Sequence, residues 1–254
     1  MKKNGLSLLL ILCMLALPCL AEPLPLGEDL SGTGIYPEEV PETEASYVYR
    51  YAYPYISGED EAAEVINSFY AYLAEDALGF AVPMTGDELE SEGLTGVTEI
   101  GYEVTCNNDE WFSLKIMTDA VFSDGTETHG LAGHTFARKG GTPGSSVSLP
   151  HLLGILGTEE NDTWLEDRQT ARADSLVREM ILDRLDDTAR TQGATLLTST
   201  DPEEALDCWF FPEEDFWLDE NGNPVFFILP GVLTAEDGIS LLFPITLEEI
   251  EDEM

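Results

Sequence analysis

Apolar and polar positions alternate with a period of two from Tyr47 to Tyr55. Tyr47, Tyr49, Tyr51, Tyr53 and Tyr55 are separated by Val48, Arg50, Ala52 and Pro54. That period puts five rings on one face of a strand, and Pro54, which cannot donate a ladder hydrogen bond, marks the strand's end or an edge. The period then changes. Ala62, Ile66, Phe69 and Leu73 recur at helical spacing between Glu59 and Ala77, with Ala63, Val65 and Tyr70 widening the stripe. Ser57, Gly58 and Asp60 supply start signals, so an amphipathic helix laid on a sheet is expected. Residues 79–93 are mixed in character and read as a loop. Val97–Cys106 and Trp111–Phe122 are strands joined by the turn cluster Asn107-Asn108-Asp109. Ser123-Asp124-Gly125 leads to a third strand, Thr128–Arg138. The Gly/Pro-rich run Gly140–Gly144 closes this meander, and Val147 and Leu149 make a short fourth strand. A second helix is expected over Ala171–Arg190, with Leu176, Val177, Met180, Ile181 and Leu185 as its stripe. Phe216-Trp217-Leu218 and Val225–Leu229 form a further hairpin, Ile239–Ile245 a last strand, and 248–253 a frayed acidic tail.

These elements predict an α+β fold: an antiparallel sheet, meander plus hairpins, covered on one face by two main helices. Met1–Ala21 reads as a signal peptide, with Lys2 and Lys3 ahead of an apolar run too short for a spanning anchor. Retention of this run as an uncleaved anchor, and lipidation at Cys19, are the alternatives. Residues 22–45 hold Pro23, Pro25, Pro37 and Pro41 among acids and no periodicity, and read as an acidic linker. The folded domain is placed at 46–250, with subdomains at about 46–93 and 94–250 as a variant.

Charge narrows the partners. The chain has 50 acidic and 11 basic residues and a formal charge of −39. Without Lys2 and Lys3, nine basic residues face 50 acidic ones, a balance of −41. Such a chain repels nucleic acid and anionic lipid and attracts cations and cationic proteins. Five of those nine basic residues, Arg168, Arg172, Arg178, Arg184 and Arg190, fall in or just before the second helix.

Candidate chemistry is sparse. Beyond the leader the cysteines are Cys106 and Cys208, which either pair in an oxidising exterior or remain free thiols. His129 and His134 lie five apart in one strand, an odd offset that puts them on opposite faces, so no metal or cofactor is expected. No Gly-x-Ser-x-Gly elbow or phosphate-binding glycine loop is present. Five tyrosines on one face could stack carbohydrate, or could pack beneath the following helix.

The order of the elements resembles an extracytoplasmic domain of unknown function shared by RsiV-like anti-sigma factors and PdaC-like peptidoglycan deacetylases, in which it is the non-catalytic part. The likeness spans roughly residues 47–250. It rests on Tyr53-Pro54-x-Ile56 with Ile66-Asn67, on His129-Gly130, on Gly144–Leu153, and on Phe216-Trp217-Leu218 through Phe226-Phe227, Pro230, Gly238 and Phe243-Pro244. Thr126-Glu127-Thr128 and Gly231–Glu236 depart from the family's loops. The resemblance implies a secreted or cell-surface, non-catalytic binding or sensor-like module. Its partner would be peptidoglycan fragments or a cationic wall-degrading protein such as lysozyme, with Tyr47, Tyr49, Tyr51, Tyr53, His129, Gly130 and Trp217 as candidate contacts. The alternative is a cryptic cell-wall hydrolase or deacetylase-type enzyme acting through His129.

Overall fold

A computed structural model describes residues 22–140, 142–156, 163–235 and 238–254. The expected signal peptide lies outside the described residues. Among the described residues eight strands form two sheets. β1 (Leu30–Tyr36), β2 (Tyr47–Tyr53), β3 (Gly96–Asn107), β4 (Trp111–Phe122) and β5 (Glu127–Ala137) make a five-stranded sheet in that order. β6 (Phe216–Leu218), β7 (Pro224–Ile228) and β8 (Leu241–Pro244) make a three-stranded one. All neighbours are antiparallel except β2 and β3, which run parallel because a helical crossover joins them.

That crossover is α1 (Glu61–Asp76), capped by the Asp60 carboxylate accepting from Ala62 N at 2.9 Å, followed by α2 (Val82–Glu92). A wide helical turn, Ala77–Ala81, joins the two without a break. Pro83 has no N–H to give the preceding turn, and the helix widens there to accommodate the ring. The loop expected over 79–93 is therefore a helix. Its glycine at 86 is a packing contact: a Cβ there would lie 2.3 Å from Tyr36 Cγ.

The acidic linker also proves to be structured. Residues 30–36 form β1, zipped to β2 in full register from Leu30–Tyr53 to Tyr36–Tyr47. Ahead of β1, Leu24 is buried, Gly27 N donates to Tyr55 O at 2.8 Å, and Ser57 N donates to Pro25 O at 2.8 Å. The prolines that suggested a spacer fall outside the ladder, where their missing donors do no harm.

The two faces of the large sheet are covered differently. The face bearing Phe112, Leu114, Ile116 and Phe136 packs under α1 through Ile66 and Tyr70. The opposite face, at its β3–β5 end, receives the small sheet. There Gly133 meets β6 so closely that a Cβ would sit 1.7 Å from Phe216 O. Ser113 Oγ lies 2.8 Å from Thr135 Oγ1 and accepts from Leu218 N at 2.9 Å, so a buried polar relay ties the sheets together. The α+β class holds, but the two long helices serve different sheets. α4 (Thr163–Gln192) packs Val177, Ile181 and Leu185 into the core of the small sheet.

Between the sheets the chain runs through α3 (Leu149–Leu152). The fourth strand expected at 147–149 shrinks to one bridge, Phe136–Ser146, because Pro150 opens this helix. α5 (Pro202–Trp209) precedes β6. The tail is also ordered: Leu247–Glu253 forms α6, nucleated by a capping box in which Thr246 and Glu249 bond each other's backbone, with Ile250 buried.

Three carboxamides act as single-residue strand partners. Asn67 accepts from Ile56 N and donates to Ile56 O, both at 2.8 Å. Asn107 does the same for Leu24 at 2.8 and 2.9 Å. Gln192 does so for Leu242 on edge strand β8, at 3.1 and 2.7 Å. Each satisfies both backbone groups of a residue that has no ladder neighbour on that side.

Candidate functional site

The residues singled out in the sequence do not converge. Tyr47, Tyr49 and Tyr53 are buried beneath α1 and α2, and Tyr51 is half-buried with them. Tyr47 OH donates to Thr98 Oγ1 at 2.8 Å, the Tyr49 and Tyr53 hydroxyls lie 3.2 Å apart, and Tyr53 stacks on Tyr70 with centroids 5.4 Å apart. Burial pushes the Tyr47 and Tyr49 phenols above their ordinary range. A stacking platform for sugars is thereby corrected: the ring ladder is the underside of the helical cover. Trp217 is also buried, stacked on Phe227 at 5.4 Å with Lys115 Nζ 5.7 Å from its ring. Gly130 lies opposite Thr118 in the β4–β5 ladder.

His129 and His134 do face opposite sides of β5. His129 is exposed, with Nδ1 2.6 Å from Asp119 Oδ1 across the ladder. His134 faces α1, edge-on to Phe69, and its Nδ1 lies 3.0 Å from Tyr70 OH. Burial lowers the His134 pKa to about 4, so the ring is neutral at pH 7. The neutral ring and the Tyr70 hydroxyl share one hydrogen bond, in which the tautomer sets which of the two donates. Among the described residues no group of three or more His, Cys, Asp or Glu is placed to hold a metal.

Nor do the two cysteines meet. The β3–β4 register slips between Val104 and Cys106, and Thr105 is the extra residue. This bulge turns Cys106 to the face of the small sheet, where it is buried and receives a hydrogen bond from Asn108 Nδ2 at 3.3 Å. Cys208 is exposed on α5, and both thiols are free. Burial, with Asp219 nearby, pushes the Cys106 thiol up to about 11.

What the structure brings together is a cleft of about 430 Å³ that sequence reasoning missed. One wall is β5 from Leu131 to Thr135, with Phe69 from α1. The second is Ser146–Ser148 with His151, and the third is Glu213–Phe216 with Phe227. His151 Nδ1 lies 2.9 Å from Ser148 Oγ. Asp215 Oδ2 accepts from Phe211 N at 2.7 Å, and burial raises its pKa. Behind this wall Asp174 on α4 is pushed up to about 6 by burial and by the Glu213 charge, with Arg178 opposing. One Asp174 oxygen is buried without a partner. The only sequence signal for this wall was the run Glu213-Glu214-Asp215, one of many acidic runs in the chain.

Acidic side chains far outnumber basic ones, and the basic ones are already engaged within the chain. Arg50 pairs with Glu42 and Glu99, Lys115 with Glu103, Lys139 with Asp109, Arg178 with Asp207, Arg184 with Glu249 and Arg190 with Asp187. Arg138 and Arg172 donate to backbone carbonyls, and Arg168 lies 4.8 Å from the Trp164 ring centroid. All nine cations among the described residues thus have a partner within the chain. Most carboxylates face solvent with no cation beside them, and no described helix is long and apolar enough to cross a membrane.

No protein-family model matches the chain, and no curated protein does. Among solved structures it is similar to a member of the DUF3298 family from Bacteroides fragilis, at 11% identity over 91% of this chain and 94% of that one, with a TM-score of 0.48. It is also similar to a DUF3298 family protein from Pseudomonas aeruginosa, at 11% identity, the same coverage and a TM-score of 0.46. These structural neighbours carry a domain whose function is unknown.

Proposed function

We propose that this chain is an exported binding or sensor-like module whose partner is a cationic protein of the lysozyme kind. The observation that supports the reading is the large excess of acidic side chains over nine described cations, each of which is already engaged within the chain by a carboxylate, a carbonyl or a ring. It leaves a nearly unopposed negative surface. Such a field speeds capture of a basic partner and repels nucleic acid and anionic membranes. The motif order that resembles the RsiV- and PdaC-like domain points the same way, as does the leader-like segment of residues 1–21, which would carry the chain outside the cell.

Calorimetric titration with hen egg-white lysozyme, at low and at physiological salt, tests this. Association that weakens as salt rises is the expected result, since exposed charges are screened beyond about 8 Å at physiological ionic strength. No association at either salt concentration overturns the proposal. The module holds its partner without converting it. Hydrolysis of peptidoglycan fragments that His129→Ala abolishes would replace this reading with an enzymatic one.

A further inference from the structure

We infer that the open border of β5 beside the cleft takes an extended, lysine- or arginine-bearing segment of the partner as an additional strand. The inference rests on the proposed binding role and names where and how the contact is made. β5 is the last strand of its sheet, paired with β4 on one side in unbroken register. At its C-terminal end the other side is used: Thr135 O accepts from Val147 N at 2.8 Å, and Ala137 N donates to Ser145 O at 2.9 Å. The backbone of odd-numbered β5 residues therefore points outward. With no bulge in the ladder, the same orientation holds for Gly133, Leu131 and His129. Among the described residues no backbone group bonds these three on that side. Where residues 144–147 stop covering the strand, the cleft begins, so its β5 wall is this open border.

Proteins usually guard such a border with a proline, a lysine or a bulge. The run Glu127–Gly133 has none of these. Residues 127–129 are exposed and 130–133 half-buried. Facing the border across the cleft are Glu213, Glu214 and Asp215. A strand laid along β5 would draw its affinity from main-chain bonds and would direct alternate side chains toward that acidic wall. A basic side chain suits the position, because every described cation of this chain is engaged elsewhere. An acidic one would meet three carboxylates.

The probe is an octapeptide of alternating lysine and valine, followed by amide hydrogen exchange. Slowed exchange at His129, Leu131 and Gly133 on peptide addition is expected. A peptide of the same charge, N-methylated at every second residue along one edge, should bind about tenfold or more weakly, since it cannot donate to the border. Glu213→Gln with Glu214→Gln should weaken the unmethylated peptide severalfold and flatten its salt dependence. Equal binding of both peptides, or no peptide binding, overturns the inference. If lysozyme still associates in either case, the proposed binding role stands and only its location falls. Loss of both lysozyme and peptide binding removes both.

Discussion

Two half-buried titratable side chains push stability in opposite directions with pH. The folded-state pKa of His134 lies near 4, below the ordinary 6.5. The unfolded chain therefore binds more protons between those values. The contribution of the neutral ring is fully present above pH 6.5 and is lost as pH falls toward 4, by about 3 kcal/mol at most. Urea midpoints measured across that window should show the slope, and His134→Gln, which keeps an acceptor for Tyr70, should remove it. Asp174 has the reverse sign. Its pKa is raised to about 6 from 3.8, so the folded state binds the extra proton, and the charged form is a penalty above pH 6 that is relieved as pH falls. Asp174→Asn should stabilise the protein at pH 7.5 by about 1 kcal/mol, allowing for solvent screening at a half-exposed site. The gain should vanish near pH 4. A melting series at the two pH values reads it directly.

Elements whose signal is periodic were legible in the sequence, and those whose signal is a contact were not. The tyrosine ladder, α1, the meander and the aromatic hairpin emerged from residue spacing within a few positions. β1 did not, because Leu30-Ser31-Gly32-Thr33-Gly34 alternates poorly. Its glycines answer to neighbours on other segments: a Cβ at Gly34 would lie 2.6 Å from Leu78 Cδ2. α2 was hidden by Pro83 and Gly86 for the same reason. The cleft was invisible because its lining is drawn from separate segments between Phe69 and Phe227, and acidic runs are too common here to single one out. Gly133 shows how such contacts control the assembly of elements. Gly133→Ala would drive a methyl into Phe216 O and force β6 away from β5, at a cost of about 3 kcal/mol. Chemical denaturation measures that loss, and a variant as stable as the parent would show that the sheets are not in this contact.

At the scale of the whole molecule, acidity is the governing property, and the three carboxamides Asn67, Asn107 and Gln192 show where it had to yield. The side chain of aspartate has almost the shape of asparagine, and this chain favours acids at polar positions. Yet each of these sites must offer a hydrogen outward and receive one in return, on neighbouring atoms of one group. An ionised acid can only receive, and its second oxygen would confront a peptide oxygen at contact distance. Asn67→Asp should therefore be worse than Asn67→Ala at neutral pH, despite being the closer match in shape. The order should reverse below about pH 4, where the acid regains a proton to give. Deamidation, which makes that one-atom exchange spontaneously, would turn these fastenings into points of repulsion.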